Sequence, residues 1–264
     1  MKRREFISTS IAAAGLGLLG REAKAEETAP ARVFYELRQY HLRRGPKQEK
    51  FDHFYRDAAI PAYNRAGIEK VGVFTVAVGP DSPTMYVLLT HKTLDSVAAV
   101  PAAMAADAEY QTAGADFMNA PATDPSFERA ESMLMMAFSG APKLEVPSFG
   151  DAAKGRVFEL RTYESHSKKA NNKKIEMFNN GEIAIFRHSG FQPVFFGETL
   201  IGPRLPNLTY MLSSESQPAH EKAWSTFGSD PDWKKLRSTP GYTDSEIVSK
   251  ISNVFLRPTG YSQI

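Results

Sequence analysis

VFYELRQY, residues Val33–Tyr40, returns as RVFELRTY at Arg156–Tyr163. A constant offset of 123 residues superposes Glu36 on Glu159, Leu37 on Leu160, Arg38 on Arg161 and Tyr40 on Tyr163. The same offset carries Gly67 onto Gly190, Gly79-Pro80 onto Gly202-Pro203, Pro83 onto Pro206 and Asp107 onto Asp230. The chain is a tandem repeat, and one fold unit has to serve for both halves.

Within the first copy, Val33–Tyr40 alternates and is rich in β-formers, which predicts a strand. Phe51, Phe54, Tyr55 and Ala58 fall at helical spacing, Gly67 closes that helix, and Pro61 predicts a kink or an early end. Val71–Val78 and Met85–Thr90 read as a hairpin around Gly79-Pro80-Asp81-Ser82-Pro83. An alanine-rich helix over Ser96–Phe117 and a strand over Ser132–Phe138 complete the unit. Met133, Met135 and Met136 make that strand apolar on both faces. The second copy repeats the order with strands at Arg156–Tyr163, Val194–Leu200, Leu208–Ser213 and Ile251–Leu256. Its helices are marked by Ile175, Phe178, Ile185 and Phe186, and by His220–Phe227. The repeats occupy 32–138 and 155–258, with a linker at 139–154. A β-α-β-β-α-β unit is the ferredoxin-like motif, an antiparallel sheet with helices on one face. Its bare face has to be buried. The fold expected is therefore α+β: two tandem ferredoxin-like units packed sheet to sheet as a pseudo-dimeric α+β barrel.

The chain opens MKRREFIS, continues through an apolar stretch at Ile11–Leu19 and reaches Ala23-Lys24-Ala25. A charged start, a short apolar run and an A-x-A site predict a signal peptide over residues 1–25. Arg3-Arg4-Glu5-Phe6-Ile7 resembles the twin-arginine export signal, the alternative being a general secretory signal that carries two arginines, and either way a periplasmic or extracellular location is expected. The run is too short to span a bilayer. The full chain has a formal net charge of +2. The signal holds five basic and two acidic residues, so the remainder carries −1, and no electrostatic case for nucleic acid survives. Zero cysteines exclude disulfides, thiolate metal sites and iron–sulfur clusters.

The E-L-R-x-Y motif opening each copy, with Asp230-Pro231-Asp232-Trp233 and its echo Asp107-Ala108-Glu109-Tyr110, resembles the NIPSNAP family of the dimeric α+β barrel superfamily. The second copy is the better match, because the first has Ala108 and Tyr110 where the family favours Pro and Trp. The resemblance implies a barrel with a central cavity. About activity it implies little, since the family is mostly of unassigned chemistry.

Alternation along Val157–Tyr163 sets Phe158 and Leu160 on one face and Glu159, Arg161 and Tyr163 on the other. The apolar pair is expected against the helices and the polar trio inside the barrel, with Glu36, Arg38 and Tyr40 facing it from the first copy. Arginine holds a carboxylate bidentately, tyrosine donates to an oxyanion and glutamate serves as base, which makes Glu159, Arg161 and Tyr163 the candidate catalytic set. Glu36, Arg38, Tyr40, Trp224 and Trp233 are candidate ligand contacts. The competing reading of both trios is an internal ion-pair network, and of the tryptophans, core packing. Asp107 and Asp230 read as helix N-caps, and Lys168-Lys169 with Lys173-Lys174 as a solvated basic loop.

His41, His53, His91, His166, His188 and His220 form no metal-ligand spacing and read as isolated exposed or capping residues, with His41 and His166 at the barrel mouth. No metal or cofactor is expected. Two functions follow: an exported protein that binds or transforms a small anionic or aromatic compound inside the barrel, or a non-enzymatic interaction or scaffold protein with a filled core. Whether the chain is an enzyme, and whether it is a monomer or a homo-oligomer, stay open at this level.

Overall fold

The computed structural model describes residues 31–149 and 155–264, so the expected signal segment lies outside the described residues. Eight strands form the framework: β1 Phe34–His41, β2 Val71–Val78, β3 Thr84–His91, β4 Arg129–Ala137, β5 Val157–Glu164, β6 Gln192–Ile201, β7 Asn207–Ser214 and β8 Lys250–Pro258. They close into a barrel in the order β1-β3-β2-β8-β5-β7-β6-β4. Each repeat supplies four adjacent strands, and the β2–β8 and β4–β6 pairings join them. This is the architecture expected from the repeat.

Because every neighbouring pair is antiparallel, β1, β2, β5 and β6 all point to the same end of the barrel. The pseudo-twofold axis relating the repeats therefore runs along the barrel axis. Both hairpin turns, Gly79–Pro83 and Gly202–Pro206, open at that common end. The opposite end is shut by the chain's last residues. Gln263 N–H donates to the Val71 carbonyl at 2.9 Å and Thr259 N–H to the Val73 carbonyl at 2.9 Å. Ile264 and the partly buried Leu144 pack on the barrel-lining cluster.

That cluster draws Tyr35, Leu37, Phe74, Met133 and Met135 from the first repeat and Phe158, Leu160, Phe195, Met211 and Leu256 from the second. Phe74 meets Phe158 with ring centroids 5.0 Å apart. Burying each such side chain contributes about 2–3 kcal/mol, so the interior fastens one repeat to the other. The seam is tight at Gly197, where an added Cβ would lie 2.9 Å from Met135 Cβ. A separate apolar cluster in each repeat lies between its own sheet and helices.

The helix after each first strand is built alike. In repeat one, α1 Lys47–Phe54 widens into a π-helical turn at Tyr55–Ala59 and continues as α2 Ile60–Arg65. In repeat two, α6 Lys168–Met177 passes through a π-helical turn at Phe178–Glu182 into α7 Ile183–His188. Pro61 sits in the first turn of α2, where the wide turn before it absorbs the missing N–H, so the helix runs past the expected break. Gly67 and Gly190 stop the two helices with φ of 96° and 104°. Lys168-Lys169 and Lys173-Lys174, expected as a solvated loop, lie instead in α6, capped by Ser167. Lys174 is buried at 1% exposure.

The expected helix over Ser96–Phe117 is three pieces, α3 Leu94–Ala106, α4 Ala108–Ala113 and α5 Ala115–Met118, because the Asp107 carboxylate accepts from Tyr110 N–H and restarts the chain. Asp230 does the same between α8 Gln217–Ser229 and α9 Pro231–Arg237, ahead of the short α10 Asp244–Ile247. Both were expected as caps. Among the described residues no helix is long and apolar enough to cross a membrane.

Candidate functional site

The alternation of the first strands is as read, but the faces are reversed. Tyr35, Leu37, Phe158 and Leu160 fill the barrel, and the polar trios lie beneath the helices. The reason is pairing. The facing sheets offer mostly apolar side chains, whereas α8 lays His220 and Trp224 over the sheet as hydrogen-bond partners.

In repeat two, Glu159 is 1% exposed. Its Oε1 accepts from Arg161 Nη1 at 2.6 Å and Asn253 Nδ2 at 2.9 Å. Its Oε2 accepts from His220 Nε2 and Trp224 Nε1, both at 2.9 Å. Burial alone would push this carboxyl up, but His220, Arg161 and Asn253 overcome it and hold it at about 2. Arg161 lies over the Trp224 ring at 4.7 Å, and Tyr163 shares a 2.9 Å hydroxyl contact with Tyr210. Beside them Lys174 Nζ donates to Glu182 Oε2 at 3.1 Å, an ion pair enclosed on all sides.

Repeat one builds the same knot with other partners. Arg38 Nε and Nη2 fork onto the two Glu36 oxygens at 2.7 and 2.9 Å, and Ser132 Oγ donates to Oε1 at 2.8 Å. His91 Nε2 lies 3.5 Å from Oε2. Burial again pushes the carboxyl up, and the His91, Arg38 and Ser132 contacts bring Glu36 to about 2. Arg38 Nη1 reaches the Tyr63 hydroxyl at 2.7 Å.

The two imidazoles come from different elements. His91 ends β3, with its Nδ1 3.0 Å from Ser96 Oγ on α3. In repeat two Ser214 stands at that strand end, and His220 on α8 places Nδ1 3.3 Å from Ser214 Oγ. Strand and helix have exchanged histidine and serine while keeping a Glu–His–Ser chain. Each carboxylate is spent on its neighbours, so neither is a base free to act on a substrate. None of the five main cavities among the described residues is lined by a member of either trio.

One of those five draws on both repeats. It is a cavity of about 220 Å³ at the hairpin end of the barrel. Leu37, Tyr86, Met133 and Leu160 form its floor, Gln39, Thr162 and Ser252 its wall, and His41, Asp81 and Arg204 its rim. The other four are larger, about 270 to 650 Å³, and each is lined from one repeat or from one repeat and the linker. His41 Nδ1 contacts Asp81 Oδ2 at 2.5 Å, and its Nε2 has no hydrogen-bond partner. Burial, and then the Asp81 charge, push the Tyr86 hydroxyl up to about 12, so it stays a donor. Arg204 has a φ of 60°, the one positive value among non-glycine residues described. Its Nη1 lies 3.5 Å from Ser252 Oγ and 3.9 Å from Glu164 Oε1, a loose hold on an exposed guanidinium.

The NIPSNAP family model matches the chain twice, over residues 35–139 and 158–263. The protein belongs to the NIPSNAP family. Among solved structures it is similar to a putative monooxygenase from Fusobacterium nucleatum, at 8% identity and TM-score 0.58, covering 87% of this chain and 93% of that one. A putative monooxygenase from Lactobacillus acidophilus aligns at 10% identity and TM-score 0.55 over 86% of this chain and 94% of that one. A NIPSNAP-like domain protein from Burkholderia xenovorans aligns at 18% identity and TM-score 0.37, over 41% of this chain and 90% of that one. At these identities the likeness is one of fold. No curated protein matches the chain.

In this NIPSNAP protein Glu159, Arg161 and Tyr163 do come together, as do Glu36 and Arg38. Tyr40 instead packs edge-on against Phe51, Tyr55 and Phe127. Trp224 joins the Glu159 knot, while Trp233 packs on Phe227 with centroids 4.5 Å apart. His91 and His220 are buried partners of the glutamates and not exposed or capping residues. His41 is at the mouth as expected, and His166 is exposed. The fixed offset hides the imidazole pair, because it sets His91 against Ser214. It does show the mouth's asymmetry, since Asp81 aligns with Arg204 and His41 with Glu164.

Proposed function

We propose that this NIPSNAP protein is exported and binds a small carboxylate at the hairpin-end mouth of its barrel, with Arg204 as the anion-holding residue. The observation that carries the reading is Arg204 itself, a non-glycine residue in left-handed backbone over the cavity the repeats share. That conformation costs about 1–2 kcal/mol, and Asn207 Nδ2, which donates to the Pro203 and Arg204 carbonyls at 2.9 Å, holds the turn that presents the guanidinium at the mouth. A guanidinium is matched to a carboxylate fork, and the apolar floor with the Tyr86 hydroxyl suits a compact ring or short chain. A cavity of about 220 Å³ limits the ligand to roughly the size of benzoate. The trios, in this account, clamp helices to sheet and take no part in chemistry.

Export rests on Arg3-Arg4, the apolar run and Ala23-Lys24-Ala25. A second reading, a scaffold with a filled core, is favoured by the packed barrel interior and the saturated carboxylates. Isothermal titration with benzoate and short aliphatic carboxylates separates them. Binding that weakens at least tenfold in Arg204→Ala, with the circular dichroism spectrum unchanged, is the expected result. Absence of binding to any of them, or equal binding by the variant, would refute the ligand reading.

A further inference from the structure

Seven large apolar side chains are exposed among the described residues, and five of them lie at the hairpin end of the barrel, in two groups on opposite sides. Val78 at 68%, Ile201 at 67%, Leu200 at 37%, Leu205 at 50% and Ile251 at 42% lie at the ends of β2 and β6, in the second hairpin turn and at the start of β8. The barrel order puts all of these on the rim of the hairpin-end mouth. Val78 and Ile201 are equivalent under the offset, so both repeats contribute to the collar. Exposed apolar side chains on both sides of one rim suit a docking surface.

The charges inside the collar say what docks. The first repeat brings Asp81, exposed at 59%, with Glu131 paired to Arg129 at 2.6 Å. The second brings Arg204, exposed at 43%, with Glu164 beside it and Lys250 at the start of β8. Among these residues the formal balance is −1 on the first side and +1 on the second, counting histidine as neutral. Asp81 and Arg204 are related by the pseudo-twofold axis, so opposite charges stand at opposite points of one circular rim. A surface with that pattern is complementary to a second copy of itself. When two mouths meet about a twofold axis perpendicular to the barrel, the axis can lie at right angles to the Asp81–Arg204 line. Each Asp81 then faces the other copy's Arg204, twice over, and each Val78 faces the other copy's Ile201.

We infer that this face is the interface of a mouth-to-mouth homodimer, in which the two cavities join into one enclosed space. The inference goes beyond the carboxylate reading but shares Asp81 and Arg204 with it, since both line the cavity, whereas Val78 and Ile201 do not, so Ile201→Lys tests the interface alone.

Sedimentation velocity of the purified protein across micromolar concentrations tests it. A dimer is expected, weakened at least tenfold by Ile201→Lys while carboxylate binding, if present, is kept. Asp81→Arg alone and Arg204→Asp alone should each be monomeric, because each places like charges opposite one another. Mixed in equal amounts, the two variants should form a heterodimer, since every facing pair is again opposite. Circular dichroism and urea unfolding report whether each variant is folded. A wild-type monomer throughout that range, a dimer indifferent to Ile201→Lys, or a mixture that stays monomeric while both variants are folded would overturn the inference. So would collar-dependent binding to phospholipid vesicles by a monomer.

Discussion

Replacing Glu159 by glutamine tests the reading of the trios at its most exposed point. The carboxylate is held at about 2 against an ordinary value of 4.5, a difference equivalent to about 3 kcal/mol of stabilisation. Glutamine keeps the shape but offers one acceptor oxygen where four donors converge. Its amide nitrogen has to face either Arg161 and Asn253 or His220 and Trp224, which leaves two buried donors unpaired at about 1–3 kcal/mol. The loss expected is about 3–5 kcal/mol, or a urea midpoint lowered by roughly 1–2 M. Urea titrations followed by tryptophan fluorescence and far-ultraviolet circular dichroism measure it. The pH dependence has a definite sign. The folded value lies below the unfolded one, so this stabilisation is fully present above about pH 5 and is lost as pH falls through 2. The gap between wild type and Glu159→Gln should therefore narrow on acidification. A variant within about 1 kcal/mol of wild type at pH 7 would refute the idea that this carboxylate holds α8 to the sheet.

Three further outcomes follow from the packing. Lys174→Met leaves Glu182 buried without its partner and should cost about 3–5 kcal/mol, whereas Lys174→Met with Glu182→Leu should recover most of it in the same urea titration. Gly197→Val drives a side chain into Met135 at the β4–β6 seam and should lower stability by at least about 1–3 kcal/mol, read from the thermal midpoint. Arg204→Gly relieves the left-handed backbone, so it should match wild type or exceed it by up to about 1 kcal/mol while losing carboxylate binding.

Much of the framework was legible in the sequence because the repeat is a statement about topology. Two ferredoxin-like units with bare sheets have few ways to bury them, and alternation with glycine stops located each strand to within a few residues. What alternation cannot supply is the direction of a face. The pattern of Glu159, Arg161 and Tyr163 is the same whether the trio looks into the barrel or under the helices. The choice is made by His220 and Trp224, more than fifty residues away. The same limit hid Lys174, which follows a polar run in sequence but whose neighbours in space are Glu182, Tyr163 and Trp233. His91 and His220 escaped because the repeats exchanged them between strand and helix, so the offset that revealed everything else separates them. The mouth was foreshadowed by the Asp81–Arg204 reversal, but only closure of the barrel brings those turns to one rim.

The direct test of the central claim, a ligand site at the mouth and a structural clamp under the helices, is a nitrogen-15 correlation spectrum of the protein titrated with benzoate. The chain has two tryptophans, and the Trp224 indole N–H sits in the Glu159 knot as a reporter. The account predicts shifts confined to Gln39, Tyr86, Thr162, Arg204 and Ser252, with the Trp224 indole signal unmoved. Shifts centred on the Trp224 indole and the His220 amide, with the mouth silent, would place the site under the helices and contradict it.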